Sequence, residues 1–190
     1  MRTNFYDCLE LIKNEEIRNF VDAALCKAPK KFWTAPCSSS GKYHPPENQV
    51  RGGIVVHSRK MVQVAVSLFR FFGVENQATK DKILAAVILH DIQKGGIPWS
   101  GFDKKHGKIA ADWLYNEVCT STQRKNRDIK DILEFVENHM GRWAAPKKHI
   151  ALTKGGRLCN RDICNLIVQL CDYFASRKWC PFVCDSILSA

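Results

Sequence analysis

Apolar residues recur along this chain at helical spacing, and the alternation typical of strands is hard to find. In residues 15–26 they fall three or four positions apart, which is the stripe that an amphipathic helix buries. The same pattern predicts further helices over residues 54–72, 79–91, 105–119, 128–139, 160–177 and, as a short last one, 182–188. The expected fold class is therefore all-α, a single helical bundle of about six to seven helices.

Two stretches interrupt this periodicity. Residues 29–53 are rich in proline, glycine and serine and predict a long loop, and residues 141–156 predict a second one. Long loops in compact domains are often functional. The Ser38–Lys42 run is not a P-loop, because it lacks the first glycine and the final Ser or Thr. At the start of the third predicted helix, Thr79 is the expected N-cap.

Length and composition fit one soluble globular domain. The chain has 190 residues, of which 45% are hydrophobic and 25% charged, and this argues against disorder. The longest apolar run, Ile83–Leu89, is too short to span a bilayer. The first residues also lack the apolar segment of a signal peptide. We expect a cytoplasmic protein with no membrane partner, and its oligomeric state is left open, a homo-oligomer included.

The net charge indicates which partners are favoured, and the cysteines raise the question of a structural metal site. A net charge of +10 favours anions such as nucleotides, nucleic acid or phosphorylated small molecules. There are nine cysteines but no CxxC pair. We interpret them as reduced thiols that pack as small hydrophobic side chains, with a structural zinc site as the weaker alternative.

Four of the six histidines sit on apolar faces of predicted helices: His57, His90, His106 and His139. One such histidine is usually a core residue, but four on four helices, with Asp91 next to one of them, predict a shared site. Imidazole and carboxylate are ligands of Mn, Fe, Co, Ni and Zn. Asp172 lies inside the last long helix and also needs a partner, because burying an isolated acid is costly.

His57, the doublet His90-Asp91 and Asp172 resemble the H…HD…D pattern of the HD-domain metal-dependent phosphohydrolases in order, spacing and helical placement. Other stretches are similar to HD proteins common in bacteriophages and prokaryotes, namely GKYHPP, RGGIVVHS, NHMGRW and CDYFASRK. The resemblance covers roughly residues 42–178. It implies one HD domain that spans residues 1–190, with its core over residues 42–178.

The resemblance implies a metal site made by His57, His90, Asp91 and Asp172. Its ion would be a divalent transition metal, Mn, Fe, Ni, Co or Zn, with Mg less favoured. Asp91 can bridge to a second ion because a carboxylate offers two oxygens. His106 and His139 fall where two-metal subfamilies place extra histidines, so we expect two ions. The alternative is one ion, with these two histidines binding substrate or acting as acid or base.

Lys94 is the first candidate for a phosphate contact, since it lies about one helical turn beyond Asp91. The alternative is an exposed lysine at a helix C-terminus. Much of the family reads HD-x-G-K here, and Gln93 replaces that glycine, which puts the local backbone shape in doubt. Other candidates for substrate contact are His44, Arg142, Trp143, Arg177 and Lys178. Arginine suits phosphate and tryptophan suits a base, but surface and core roles remain the alternatives.

The resemblance implies a metal-dependent phosphohydrolase that cleaves phosphoester bonds of a nucleotide or a single-stranded oligonucleotide with metal-activated water. Its expected catalytic residues are Asp91, Lys94, His106 and His139. One alternative is a (d)NTP triphosphohydrolase or nucleotidase that acts on mononucleotides. Another is an HD protein that binds a nucleotide without cleaving it, and a third is a helical interaction module with structural histidines.

Overall fold

The computed structural model describes residues 2–38, 41–141 and 160–179. These ranges are helical and contain no strand, so the predicted all-α class is confirmed. The α-helices are α1 (Tyr6–Glu10), α2 (Glu15–Lys27), α3 (Lys30–Thr34), α4 (Gly53–Phe71), α5 (Gln77–Leu89), α6 (His106–Trp113), α7 (Arg127–Asn138) and α8 (Asn160–Ala175). Short 3-10 helices cover Arg2–Phe5 and Pro46–Asn48, and a π-helical turn, Leu114–Val118, extends α6.

The six longer helices lie within a few residues of their predicted positions, while the ends and short elements differ. The predicted loop over residues 29–53 contains α3 and a 3-10 turn. Thr79 is not the N-cap of α5, because the Asn76 side chain caps this helix by accepting a hydrogen bond from the Thr79 backbone N–H. The predicted helix over residues 182–188 lies outside the described residues, as does nearly all of the second predicted loop.

Helix α5 forms the centre of the bundle. Its apolar run, Ile83–Leu89, is buried throughout, as expected for a helix that is hydrophobic on every side. It packs against α2, α4, α7 and α8. None of the described helices is long and apolar enough to cross a membrane. His90 and Asp91 directly follow the last residue of α5, and both are buried inside the protein.

Two further helix pairs enclose the end of α5. Helix α4 packs along α8, and α6 packs along α7. Gly107 permits the second contact: a Cβ atom at this position would lie 2.7 Å from the Glu137 carbonyl oxygen. This close approach places His106, at the start of α6, beside His139, which follows the last residue of α7.

A pair of glycines brings the segment before α4 into the same region. Gly52 has a φ of +83°, and a Cβ atom on Gly53 would lie 2.0 Å from the Asn48 carbonyl oxygen. The Cys37 backbone N–H donates to that same oxygen at 2.7 Å. The Asn48 side chain in turn donates to the Ala175 carbonyl oxygen at 3.3 Å. The segment is thus fixed across the start of α4 and the end of α8.

Candidate metal centre

Five histidine rings form a continuous row near the end of α5. Neighbouring ring centroids are 5.5, 5.2, 5.0 and 4.9 Å apart along the row His44, His57, His90, His139 and His106. The last four are at most 2% exposed. The four histidines predicted to point inward from four helices therefore meet in one place, and His44 from the loop joins them.

Three of these rings are oriented in the same way. The ring nitrogen Nδ1 lies at hydrogen-bond distance from the carbonyl oxygen three residues earlier in the pairs His90–Val87 (2.8 Å), His106–Asp103 (2.6 Å) and His139–Val136 (2.7 Å). A backbone carbonyl can only accept, so Nδ1 carries a proton, and in the neutral ring Nε2 keeps its lone pair. Holding Nδ1 in this way is the usual support of a metal-binding histidine, because it directs Nε2 at the ion.

The two carboxylate oxygens of Asp91 face different histidines. Oδ2 lies 3.1 Å from His90 Nε2, while Oδ1 lies 3.0 Å from His106 Nε2 and 3.9 Å from His139 Nε2. The side chain is 1% exposed. Asp91 is therefore the link between the His90 side and the His106–His139 side of the centre.

Asp172 completes the His90 side. Its Oδ1 lies 3.0 Å from His57 Nε2. Ligand atoms of His57, His90 and Asp172 lie within 4.8 Å of one another. The same holds for His90, Asp91 and His139. Each group offers the mixture of imidazole nitrogens and carboxylate oxygens that divalent transition metals bind.

The residues present fit a metal ion better than a purely structural cluster. His90 Nε2 and Asp91 Oδ1 are buried and have no partner in hydrogen-bond geometry among the described residues. The Nε2 atoms of His106 and His139 lie 3.0 Å apart, although the carbonyl contacts at Nδ1 leave a lone pair on both. Two facing lone pairs repel unless a proton or a cation lies between them, and nitrogens that share an ion bond it at about 2.0–2.1 Å.

Comparison with known proteins agrees with this geometry. The family model of the HD domain matches residues 54–177, a stretch that begins in α4 and ends just after α8. The chain belongs to the HD-domain family. Neither a search of curated proteins nor a search of solved structures finds a significant match. The HD domain indicates a metal-dependent phosphohydrolase in general, and HD domains bind divalent metals.

Burial favours the neutral form of two histidines at the centre, His57 and His139. Burial, reinforced by the nearby histidines His106 and His90, lowers the pKa of His139 to about 3. Burial likewise lowers the pKa of His57, although Asp172 opposes it. For His90 burial also acts to lower the pKa, but Asp91 outweighs it and the pKa is raised. A neutral imidazole is the form that binds a metal.

The two acids of the centre, Asp91 and Asp172, are held ionised. Burial acts to raise the pKa of Asp91, but the charges of His90 and Lys94 outweigh it and hold this pKa well below its usual range. Burial also acts to raise the pKa of Asp172, but the hydrogen bond from His57 and the charges of nearby histidines outweigh it and lower this pKa. Burial would lower the pKa of Lys94, yet Asp91 raises it, so this lysine stays a cation at neutral pH. Its ammonium contacts Asp91 Oδ2 directly.

A cavity of about 560 Å³ opens onto the centre. The predicted site residues that line it are His44, Asp91, Lys94, His106, His139, Asp172 and Arg177. His57 and His90 are fully buried beside it. Lys178 is exposed and is not among the lining residues. The predicted contacts Arg142 and Trp143, and His149, lie outside the described residues.

Arg177 is positioned at the cavity by two tyrosines that the sequence did not single out. Its guanidinium lies 4.1 Å from the ring centroid of Tyr173 and 5.2 Å from that of Tyr43. Both tyrosines line the cavity as well. They belong to two of the family-like stretches, GKYHPP and CDYFASRK, which is the only signal that could have pointed to them.

Cys37 is a further residue at the centre that the sequence did not single out. It is 2% exposed, and Lys94 Nζ lies 3.4 Å from its sulfur. Its sulfur also lies within 4.8 Å of ligand atoms of His44 and His57. Burial raises the pKa of this thiol to about 12, so it stays protonated and is a weaker ligand than the adjacent imidazoles. The glycine pair before α4 was the available clue, because it implies a close backbone approach there.

Proposed function

We propose that this HD protein is a phosphohydrolase of the phosphodiesterase type, which cleaves a phosphoester bond of a nucleotide or oligonucleotide with metal-activated water. The observation that carries the proposal is that the two carboxylate oxygens of Asp91 face different histidines. One of its oxygens faces His90 and the other faces His106 and His139. A carboxylate placed in this way suits a bridge between two ions, and paired ions suit in-line displacement at a phosphodiester.

In this proposal the ligands divide into two sets that share Asp91. His57, His90 and Asp172 would hold the first divalent ion, and His106 and His139 would hold the second. Bound divalent ions would neutralise phosphate oxygens and lower the pKa of water towards neutrality. Mn, Fe, Co, Ni and Zn are favoured over Mg, because Mg prefers oxygen ligands and this centre is rich in nitrogen.

Cationic side chains at the cavity would orient the substrate. Lys94 is kept protonated and lies beside Asp91, so it would contact a nonbridging phosphate oxygen. Arg177, stacked between Tyr43 and Tyr173, would contact the same or an adjacent phosphate. Water would then form a bond to phosphorus and lose a proton, the bond between phosphorus and the leaving oxygen would break, and that oxygen would take up a proton.

The proposal is tested by incubating the purified protein with Mn²⁺ and a panel of substrates. The panel contains bis-p-nitrophenyl phosphate, thymidine dinucleotide, cyclic nucleotides, deoxynucleoside monophosphates and deoxynucleoside triphosphates. Asp91→Asn should abolish turnover. Asp112→Asn serves as its matched control, since that carboxylate is 56% exposed on α6, and should keep full activity.

Each result of this experiment has a distinct meaning. Diester cleavage that is lost in Asp91→Asn supports the proposal. If the protein releases phosphate or triphosphate from mononucleotides and cleaves no diester, it is a nucleotidase or a triphosphohydrolase instead. A protein that binds metal stoichiometrically and turns over nothing in the panel is better described as a nucleotide-binding HD protein.

A further inference from the structure

A second cavity lies directly beside the one that opens onto the metal centre. Its volume is about 450 Å³, within the range of about 300–1,000 Å³ found for small-molecule sites. The two cavities share Cys37, Lys94 and Phe102. Because Lys94 lies on this shared border, a phosphate bound by its ammonium would have one cavity on each side.

The second cavity is built from α3 and from the turn that follows Asp91. Lys31 and Thr34 come from α3, while Trp99 and Ser100 come from the turn. The turn is closed by backbone hydrogen bonds from Ser100 N–H to the Gly95 carbonyl oxygen at 2.9 Å and from Asp103 N–H to the Lys94 carbonyl oxygen at 3.1 Å.

Trp99 is held in place by its contact with Gly95. A Cβ atom on Gly95 would lie 2.3 Å from the indole nitrogen, so the absence of a side chain there lets the indole lie directly on the backbone. The ring packs partly against the core and also lines the cavity. Phe102, which is 51% exposed, adds a second aromatic surface on the border.

The lining of this cavity suits a nucleotide unit. Lys31 and Lys94 supply positive charge, and none of the described lining residues is acidic. Aromatic rings bind bases by stacking without strong sequence preference, and lysines bind the phosphate backbone. Neither the ligand residues nor the predicted substrate contacts other than Lys94 belong to this cavity.

We propose that the second cavity binds the nucleotide unit on the far side of the scissile phosphate. The substrate of this HD protein then has two nucleotide units joined by a diester, one in each cavity, with the joining phosphate at Asp91 and Lys94. This inference rests on the proposed function. It adds that a mononucleotide fills only half of the site.

Binding is measured first, so that the result does not depend on turnover. Fluorescence anisotropy with the Mn²⁺-loaded protein compares thymidine monophosphate with a thymidine dinucleotide whose phosphorothioate linkage resists hydrolysis and which carries a phosphate at each end. Each ligand competes with a labelled copy of this dinucleotide. The dinucleotide should bind about tenfold more tightly, as one additional stacked and charge-paired unit warrants. Lys31→Glu should remove most of this difference.

Lys30→Glu is the matched control, since Lys30 is the adjacent exposed lysine at the start of α3 and does not line the cavity. It should preserve the dinucleotide preference. Trp99→Leu, checked by thermal melting to be folded, should weaken the preference by removing the stacking surface. Should Trp99→Leu fail to fold, Lys31→Glu against Lys30→Glu decides the matter alone.

Turnover separates this inference from the function on which it rests. Both claims are supported if the protein cleaves bis-p-nitrophenyl phosphate and a thymidine dinucleotide with a phosphate at each end. The rate for the dinucleotide relative to that for bis-p-nitrophenyl phosphate should then fall in Lys31→Glu and not in Lys30→Glu. Diester cleavage with equal binding of monophosphate and dinucleotide contradicts the proposed role of the second cavity and leaves the proposed function intact. Absence of diester cleavage, with the dinucleotide preference still present and dependent on Lys31, overturns the proposed function and leaves a two-unit binding site.

Discussion

The ammonium of Lys94 lies between the Asp91 carboxylate and the Cys37 sulfur, and it borders both cavities. Lys94→Ala should lower kcat/KM for a diester substrate by about 10²-fold, since charge-assisted contacts to phosphate are among the stronger hydrogen bonds. The metal content should stay unchanged, because a lysine kept protonated is not a ligand. Steady-state kinetics and elemental analysis of the same preparation measure both quantities.

A matched change elsewhere distinguishes this role from a general effect of charge. Lys108→Ala removes a lysine that is 63% exposed on α6, and it should leave the kinetics unaltered. An Lys94→Ala protein with the wild-type rate would show that the lysine only compensates the charge of Asp91.

In the proposed two-ion arrangement, His106 and His139 would hold the second ion. Elemental analysis of the wild-type protein should give two equivalents of metal, whereas His106→Ala and His139→Ala should each give one, because each removes a ligand on the same side of Asp91. His44→Ala is the control and should keep two, since its ring adjoins His57 rather than Asp91. A single equivalent in the wild-type protein contradicts the two-ion arrangement.

At the residue level, the sequence was most informative where chemistry and helical periodicity coincide. The inward-facing histidines and the two acids could be chosen because polar side chains on apolar faces are conspicuous. Cys37 and Trp99 could not, because a thiol or an indole among hydrophobic residues is ordinary. Their importance comes from tertiary contacts with Lys94 and Gly95 that no local pattern encodes.

At the scale of elements, periodicity predicted the long helices well and their ends poorly. The start of α5 is an example. The apolar run predicted the interior of this helix, but its first residue depends on the capping side chain of Asn76. The short helices α1 and α3 were not predicted, because one turn of helix carries too few apolar positions to show a period. Their stability comes from packing: Phe32 of α3 is fully buried.

The contact between α6 and α7 controls the spacing of the two histidines at their ends. Gly107→Ala would place a methyl group 2.7 Å from the Glu137 carbonyl oxygen. We expect it to destabilise the fold by about 1–3 kcal/mol, the usual cost of overpacking. It should also weaken binding of the second ion by moving His106 away from His139. Urea unfolding and metal titration measure the two effects.

The substitution Lys108→Ala on the same helix serves as the control here too, and should change stability by no more than about 0.5 kcal/mol. If Gly107→Ala matched that value and bound two ions as tightly as the wild-type protein, the spacing of α6 and α7 would not govern the centre.

At the scale of the whole molecule, the row of histidines makes the metal-free protein sensitive to acid. The pKa of His139 falls from 6.5 to about 3 on folding and that of His44 to about 4. Between these values and 6.5 the unfolded chain binds more protons than the folded one, so stability falls as the pH is lowered. The raised pKa of His90 acts in the opposite direction, but the pKa values of three histidines, His44, His57 and His139, are lowered.

In EDTA, the melting temperature should therefore decrease between pH 6.5 and pH 4.5, by about 3–6 °C per pH unit for one uncompensated histidine in a chain of this size. His139→Gln should flatten this dependence, whatever its effect on the absolute melting temperature. Added Mn²⁺ should raise the melting temperature at pH 7 more than at pH 5.5, because the raised pKa of His90 lets a proton compete with the metal for its ring at the lower pH. A profile in EDTA that is level across this range contradicts the buried neutral imidazoles.

The carbonyl contacts at Nδ1 of His90, His106 and His139 each span three residues of one short backbone segment. Each ring is therefore aimed by its own turn of chain rather than by the ion. Much of the conformational entropy that chelation would otherwise consume has then already been lost during folding. We therefore expect one ion to replace another without reshaping the bundle, so that the identity of the bound ion would follow its supply in the cell.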